Sequence, residues 1–515
     1  MTNQQQAIME ILSNPRLTHE QQVFQLASAA DGSMPPVESS ATRHFQDLLQ
    51  NGLVCDMGEG NAPYAPRYIL PDYQKFMEQG SEFLRLPPPK TLYEAIYSLL
   101  IFYRSVPSVT HFPVYLGNLG ALLEPFCEGL SDDAVRQLLK GFLIQLDRTF
   151  GDSFVHANIG PERTRAGEIL LDLTAELQNA IPNMTLIYDP EITPDDFACM
   201  AIRTALVSAN PAFALDSAYK ADFHGHPYGI ASCYNGLPVC GGAFTLQRLK
   251  LKEMAEAAAS KEDFFDRVLP DTVQTMCTFM EGRIRFLVED TAFFQSSFLV
   301  KEKFIDLDNF VGLLGLVGLA ECVDHLMDLD GNPARYGPDA EANELGLRIM
   351  DAIQAMLKDF TSAYSPIADH HFMLHAQVGL GGDASSPGVR IPIGREIPLY
   401  DHLRQAGLFH KYFPTGVGDI FPFETTAKQN PEAILDVFKG AFSVGMRYIS
   451  TYAEDSDLIR VTGYLVKKSE VQAVAEGKQS AINDMSLIAG RTLETLHILE
   501  RKVRGIDDCA GQSNY

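Results

Sequence analysis

One loop of the sequence concentrates side chains that can exchange protons or hydrogen. Residues 222–242 carry His224, His226, Cys233 and Cys240 among glycines and prolines. Histidine titrates near neutrality and can act as an acid or as a base. A cysteine beside glycine and proline is in most loops an unreactive thiol, unless its surroundings activate it. This loop alone is therefore compatible with a reactive site and with an ordinary turn.

A second candidate segment lies near the C-terminus. Residues 458–466 read LIRVTGYLV, a short β-rich stretch that is interrupted by Gly463. Glycine weakens a strand and usually marks a bulge or a close backbone approach. The two segments are more informative together, because one known class of enzymes has a cysteine loop followed by a late glycine loop.

The pair of segments resembles glycyl radical enzymes, the family that includes pyruvate formate-lyase. Residues 459–464, IRVTGY, are similar to the radical-site signature of that family, and residues 228–233, YGIASC, are similar to its cysteine loop. The resemblance spans about residues 90–515 and is closest to the YjjI branch. It implies a stored radical on Gly463 and a transient thiyl radical on Cys233, with Cys240 as the rival thiol.

The chemistry of that family explains these residue types. A radical on a glycine Cα is delocalised over the flanking amide nitrogen and carbonyl, and a Cβ would clash with the flattened backbone. An S–H bond is comparable in strength to the glycyl Cα–H bond, so hydrogen can pass between Gly463 and a thiol with little bias. The thiyl radical can then take hydrogen from an inert C–H bond of a substrate. Such a site must exclude water and oxygen, which predicts a buried, oxygen-sensitive centre in an anaerobic enzyme.

The motifs leave the reaction unassigned. Ser232 stands where pyruvate formate-lyase has a second cysteine, and Asn235 stands where radical dehydratases and eliminases carry a glutamate base. A different acid–base partner is needed if the reaction moves protons. His224 and His226, with Tyr228 behind them, are the nearest candidates, and the alternative is that they only hydrogen-bond the loop backbone.

The resemblance also implies partners. A separate S-adenosylmethionine-dependent activating enzyme with an iron–sulfur cluster would remove hydrogen from Gly463, so no bound metal or cofactor is expected on this chain. The segment from about residue 455 onward would swing out to admit that enzyme. The substrate would be a small polar molecule, and a homodimer is expected because relatives are often dimers. The competing interpretation is a non-catalytic relative that kept the fold as an interaction protein.

Composition excludes several other classes. The 515 residues carry a formal net charge of −25, which disfavours nucleic acids and anionic lipid surfaces as partners. The N-terminus lacks the pattern of a signal peptide, and no apolar stretch approaches the length of about 20 residues that spans a membrane. Eight cysteines without a CxxC pair indicate reduced thiols, and therefore a cytoplasmic protein.

The hydrophobic periodicity of the sequence and its helix-capping and helix-breaking residues predict the elements that hold the two loops. We expect a helical region over residues 1–90, an α/β barrel of ten strands with surrounding helices over 91–445, and a radical-bearing segment over 446–515, with both loops meeting inside the barrel. Local patterns predict a helix from Arg165, a strand over 184–188, a helix that Asn430 caps, and a helix-like run from Phe244. His371 and His375 are spaced to share a helix face, where zinc is conceivable, and residues 379–383 form a glycine-rich loop.

Overall fold

The described part of the chain is rich in both helices and strands. The structure, a computed structural model, describes residues 3–15, 17, 22, 25–26, 29, 40–56, 64–107, 112–150, 154–377, 385–461, 463–478 and 499–505. The strands are β1 (Val54–Asp56), β2 (Tyr68–Leu70), β3 (His156–Ile159), β4 (Asn183–Tyr188), β5 (Ala212–Leu215), β6 (Tyr228–Ala231), β7 (Asn235–Pro238), β8 (Gly241–Lys250), β9 (Phe310–Val317), β10 (Met373–Ala376), β11 (Asp419–Phe423), β12 (Tyr448–Ala453), β13 (Leu458–Arg460) and β14 (Leu465–Lys467). The α-helices span Asn3–Ser13, Ser40–Gln50, Tyr73–Gln79, Leu92–Arg104, Leu119–Leu123, Asp132–Thr149, Arg165–Leu177, Asp195–Ser208, Asp216–Asp222, Leu251–Glu256, Lys261–Asp263, Leu269–Arg285, Phe293–Ser296, Phe298–Lys301, Leu319–Leu329, Ala340–Asp359, Leu399–His410, Pro431–Ser443 and Lys468–Ala475. Short π-helices (Phe264–Val268 and Phe286–Asp290) and 3₁₀ turns (Glu124–Cys127, Leu307–Asn309, Pro366–Ala368 and Thr425–Gln429) complete the set.

Two five-stranded sheets form the centre of the fold. In the first, β8 and β10 flank β9 in parallel, while β1 and β2 pair antiparallel with the two ends of β8. In the second, the order is β11-β12-β5-β4-β3, parallel except between β12 and β5. Central strands such as β9 are buried along their whole length, which explains their continuous apolar sequences. The predicted α/β class is confirmed. Two sheets of five supply the predicted number of strands, and their closure into one barrel stays a prediction.

Two hairpins stand apart from these sheets, and each carries one of the candidate segments. β6 and β7 pair antiparallel with Ala231 opposite Asn235, so residues 232–234 form the turn. β13 and β14 pair antiparallel with Arg460 opposite Leu465, so the radical-site signature lies at the turn of that hairpin. The sequence therefore folds both motifs as hairpin tips.

Several local predictions are confirmed. The helix that begins at Pro431 is capped by Asn430, whose side chain accepts a hydrogen bond from the Ala433 amide at 3.2 Å. The predicted helix from Arg165 ends at Leu177, and the predicted strand is β4. Within the described ranges, no helix has the length and apolar character that a bilayer crossing requires.

Other local predictions are wrong, because pairing overrides local pattern. The run from Phe244 is part of strand β8, which is held on both edges by β9 and by β1 and β2. Residues 1–90 are not purely helical, since they supply β1 and β2. His371 and His375 do not share a helix face, because β10 begins between them and the Nδ1 of His371 bonds to the Phe360 carbonyl. Residues 379–383 lie outside the described ranges.

Candidate functional site

The turn of the β6–β7 hairpin presents Cys233. Ser232 adopts a left-handed conformation with φ of 58°, which reverses the chain just before the cysteine. Its amide donates to the Val114 carbonyl at 2.9 Å, and its carbonyl accepts from the Nδ1 of His156 at 3.0 Å. The carbonyl of Cys233 accepts from the Tyr448 hydroxyl at 3.0 Å. Hydrogen bonds to three other segments thus fix the backbone of this turn. Cys233 itself is 5% exposed.

Gly463 packs directly against Cys233. A methyl group added at Gly463 would overlap the Cβ of Cys233 and would lie 3.1 Å from its Sγ. The Cα hydrogen in that direction therefore points at the cysteine side chain. Only glycine fits here, because the space that a side chain would need is occupied by the thiol residue. The structure brings together the two residues that the sequence pattern paired.

A buried polar clamp holds the carbonyl of Gly463. The Nδ2 of Asn183 donates to this oxygen at 2.6 Å, and the Nη1 of Arg460 approaches it at 3.4 Å. The two side chains are joined by a 2.9 Å bond from Arg460 to the Oδ1 of Asn183, and the Nε of Arg460 donates to the Ala209 carbonyl at 2.8 Å. Arg460 is fully buried, and desolvation lowers the pKa of its guanidinium. The guanidinium cation of Arg460 thus lies next to the carbonyl oxygen of Gly463.

A second set of hydrogen bonds supports the cysteine turn. The Ser232 carbonyl can only accept, so the Nδ1 of His156 carries hydrogen and its Nε2 accepts from the Thr185 hydroxyl at 2.8 Å. Burial lowers the pKa of His156 to about 3, so this imidazole is neutral. Thr185 also lies 3.4 Å from the Tyr448 hydroxyl. These neutral groups orient the hairpin without adding charge.

Burial keeps Cys233 in the thiol form. Desolvation raises the pKa of Cys233 to about 11, against smaller effects of its hydrogen bonds and of Arg390 and Arg67. The Sγ lies 3.4 Å from the Oδ1 of Asn235, which is placed to accept the S–H hydrogen. A hydrogen-atom donor must retain its S–H bond, so this environment suits hydrogen transfer better than nucleophilic attack.

Cys240, the rival thiol, lies at the other end of the hairpin. Its carbonyl accepts from the Asp306 amide at 2.8 Å and from the Nδ2 of Asn309 at 3.2 Å, and its Sγ is 3.9 Å from the Lys303 carbonyl. None of these neighbours belongs to the surroundings of Gly463 described above. Burial raises the pKa of this thiol also to about 11, so acidity does not separate the two cysteines. Geometry does.

The predicted acid–base candidates lie away from the thiol. His224 has an exposed side chain that faces Asp369 across 3.5 Å. The Nε2 of His226 bonds to the Val239 carbonyl at 2.9 Å, and the Tyr228 hydroxyl donates to Asp216 at 2.8 Å. The structure therefore places His224 at the surface and does not bring it into the buried surroundings of Cys233. His226 matches the alternative of a histidine that only bonds the loop backbone.

Sequence reasoning missed the residues that surround the two loops. Asn183 and Tyr448 come from β4 and β12, and His156 comes from β3. The one available signal was the presence of polar residues within otherwise apolar buried strands, since buried polar groups need partners. In the part of the chain that the structure covers, no cluster of three or more His, Cys, Asp or Glu residues is arranged to hold a metal ion.

The buried histidines predict a stability that falls in mild acid. Burial lowers the pKa of His156 to about 3 and those of His375 and His410 to about 4, whereas an unfolded histidine titrates near 6.5. Below about pH 6.5 the unfolded chain takes up protons that the folded chain does not, so unfolding becomes easier as the pH falls. Each histidine contributes about 1.4 kcal/mol per pH unit.

Urea unfolding between pH 5 and 7.5 measures this dependence. His410→Gln is expected to reduce the slope by the contribution of one histidine, and Gln274→Ala, which removes an exposed group that does not titrate, is expected to leave it unchanged. A free energy of unfolding that is constant over this range would contradict the prediction.

Comparison with known proteins places these features in a family context. A family model described as glycyl radical enzyme YjjI-like matches residues 17–504. An uncharacterized protein of Haemophilus influenzae is 41% identical over 508 residues, which is 98% of each chain. The uncharacterized protein YjjI of Escherichia coli is 41% identical over 507 residues, covering 98% of this chain and 96% of its own. These matches confirm the family that the two loops predict.

The fold is also similar to a solved structure. A glycyl radical enzyme from Archaeoglobus fulgidus aligns with a TM-score of 0.71, at 12% identity, over 96% of this chain and 89% of that chain. At this level of identity the likeness concerns the fold alone.

Proposed function

Because the chain belongs to the family of YjjI-like glycyl radical enzymes, we propose that it stores a radical on Gly463 and uses Cys233 as the thiyl radical that attacks a substrate. Enzymes of this kind carry their radical on the polypeptide rather than on a bound cofactor. The proposal rests on one observation above all: the side-chain direction of Gly463 points into Cys233, with only 3.1 Å between an added methyl carbon and Sγ.

The proposed sequence conserves hydrogen at every step. An activating enzyme removes one hydrogen atom from the Cα of Gly463. The glycyl radical takes the S–H hydrogen of Cys233, and the resulting thiyl radical takes hydrogen from a substrate C–H bond. The product radical then recovers hydrogen from Cys233, whose sulfur recovers hydrogen from Gly463. The contact between the two residues makes the first exchange an intramolecular step between fixed groups.

The clamp on the Gly463 carbonyl supports the stored state. Delocalisation of a glycyl radical needs an electron donor, the amide nitrogen, and an electron acceptor, the carbonyl. Hydrogen bonds from Asn183 and from the cationic Arg460 draw electron density toward that oxygen. We therefore assign these two residues a positioning role that also stabilises the radical.

Partners and setting follow from the proposed chemistry. A separate S-adenosylmethionine-dependent iron–sulfur enzyme would install the radical, and the C-terminal segment from about residue 455 would open to admit it. The substrate would be a small polar molecule, and the protein would act in an anaerobic cytoplasm, with a homodimer as the expected assembly. The non-catalytic alternative predicts that no activating enzyme forms a radical on this chain.

Solvent exchange of the radical's hydrogen tests the assignment without knowledge of the substrate. A glycyl radical keeps one Cα hydrogen, which splits its electron paramagnetic resonance signal into a doublet. If Gly463 exchanges hydrogen with Cys233, the hydrogen of that thiol is replaced by deuterium in D₂O, and the doublet should collapse to a narrow single line. We expect this collapse in the wild-type protein after anaerobic activation, and a persistent doublet in Cys233→Ala.

Cys240→Ala is the matched control and should behave as the wild type. Collapse in Cys233→Ala together with a persistent doublet in Cys240→Ala would reverse the assignment. The absence of any radical after treatment with an activating enzyme that is competent on a close relative would favour the non-catalytic alternative.

A further inference from the structure

Tyr234, the residue after Cys233, contacts two polar side chains whose hydrogen-bonding groups are only partly used. Tyr234 is buried, and its hydroxyl donates to the Ala376 carbonyl at 2.8 Å. Its ring stacks on His375 with 5.8 Å between centroids, and the guanidinium of Arg390 lies 5.7 Å from its ring centroid. An imidazole and a guanidinium therefore gather on the residue adjacent to the proposed thiyl radical.

His375 presents a buried base. Its Nδ1 lies 3.0 Å from the Thr415 carbonyl, which can only accept, so Nδ1 carries the hydrogen and Nε2 carries a lone pair. Burial holds the pKa of this ring at about 4, which keeps it neutral. The side-chain amide of Gln377 is near the ring, but Nε2 makes no hydrogen bond of normal geometry within the residues that the structure describes. An acceptor left unpaired in the interior is costly unless a ligand completes it.

The guanidinium of Arg390 uses only part of its hydrogen-bonding capacity. Its Nε donates to the Gly418 carbonyl at 2.6 Å and lies 3.9 Å from Asp419. Asp419 is itself engaged by His402 at 3.0 Å and by the Ile420 amide at 2.7 Å. Among the described residues, the two terminal amino groups of Arg390 make no hydrogen bond. A planar fork of this kind can bind a carboxylate through two parallel hydrogen bonds.

Asn235 presents a donor next to the sulfur. Its Oδ1 lies 3.4 Å from the Sγ of Cys233, while its Nδ2 is buried and has no hydrogen-bond partner in the described part of the chain. The amide that replaces the glutamate of the eliminases can therefore donate to a substrate oxygen beside the thiol, although it cannot act as a base.

We propose that this cluster binds a small hydroxy acid, with its carboxylate on Arg390, its hydroxyl donating to the Nε2 of His375, and a substrate oxygen accepting from Asn235. This inference rests on the proposed function, because it takes Cys233 as the attacking group. It names His375 as the acid–base partner in place of the surface residue His224.

The step assigned to His375 moves a proton only. After Cys233 has taken the hydrogen atom from the carbon that bears the hydroxyl, the O–H bond breaks and an Nε2–H bond forms. The unpaired electron stays on the substrate carbon and oxygen, and no external oxidant or reductant is needed. Radicals at such carbons lose the hydroxyl proton more readily than the parent alcohol does, which favours transfer to the lone pair on Nε2.

Binding to the resting protein tests this inference separately from radical formation. Isothermal titration compares lactate and glycerate with propionate, which lacks the hydroxyl, and with propane-1,2-diol, which lacks the charge. We expect at least tenfold tighter binding of the hydroxy acids than of either analogue. His375→Phe keeps a ring against Tyr234 and should abolish the preference for lactate over propionate. Arg390→Met should abolish the preference for lactate over the diol.

His44→Phe and Arg395→Met, both at exposed ion pairs, are the matched controls and should keep both preferences. The proposal is overturned if no hydroxy acid binds the wild-type protein, or if both preferences survive in the His375 and Arg390 variants. Since these titrations need no activating enzyme, a failure of binding is distinct from a failure to form the glycyl radical.

Discussion

Gly463→Ala is expected to abolish the radical signal completely after anaerobic activation. An alanine Cα radical could not flatten in this space, because the added methyl group would overlap the Cβ of Cys233. The same variant should resist oxygen, whereas the activated wild-type protein should be cut at Gly463 and release a short C-terminal fragment. Electron paramagnetic resonance and gel electrophoresis after exposure to air measure the two effects.

A steric cost must be separated from the loss of the radical position. The overlap is expected to lower the free energy of unfolding by about 1–3 kcal/mol. Gly440→Ala is the matched control, since a methyl group there meets no atom within 4 Å, and it should keep both the signal and the cleavage. The double variant Cys233→Gly with Gly463→Ala removes the overlap with the Cβ but leaves the added methyl group 2.9 Å from the Cα of residue 233, so it should recover part of the lost stability without recovering the radical. A radical doublet in this double variant would refute Gly463 as the storage site.

Arg501→Ala is expected to open the glycine hairpin and to speed its activation. The Nη1 and Nη2 of Arg501 donate to the carbonyls of Arg460 and Val461 at 2.9 and 3.1 Å, directly before the glycine turn. Bonds from a charged donor typically contribute about 1.5–3 kcal/mol each. The loss of one such bond should raise local opening by roughly ten- to a hundred-fold and the loss of both by more, measured by hydrogen exchange over residues 460–466 and by the initial rate of radical formation.

Arg163→Ala is the matched control, because it removes an exposed arginine that pairs with Glu168 and Asp196. It should change neither the hydrogen exchange over residues 460–466 nor the initial rate of radical formation. If exchange over residues 460–466 were the same in Arg501→Ala as in the wild type, residues 499–505 would not restrain the glycine hairpin. Faster exchange without faster activation would place the limiting step in the activating enzyme instead.

The sequence predicts contiguous features far better than it predicts the site. The Asn430 cap and strand β4 follow from neighbouring residues, and so they are confirmed. The meeting of Cys233 and Gly463 follows from family motifs and not from any local pattern. The clamp is beyond such reasoning, because Asn183 lies 280 residues from Gly463 and only the sheet brings them together.

Errors share one cause, which is that chain neighbours are not spatial neighbours. His224 is close to Cys233 in sequence, but the hairpin turns it toward solvent. His375 is remote in sequence, and the parallel pairing of β10 with β9 carries it into the interior beside Tyr234. Proximity in sequence singled out His224 as the candidate base, whereas the acid–base role proposed above falls to His375.

The pairing of β1 and β2 with β8 limits how far the chain can be shortened from its N-terminal side. A polypeptide starting after the three consecutive prolines at positions 87–89 would expose one long edge of β8, whose backbone groups β1 and β2 otherwise satisfy. Unsatisfied margins of this kind invite intermolecular association. A chain shortened in this way is thus expected to aggregate rather than to act as a minimal catalytic unit.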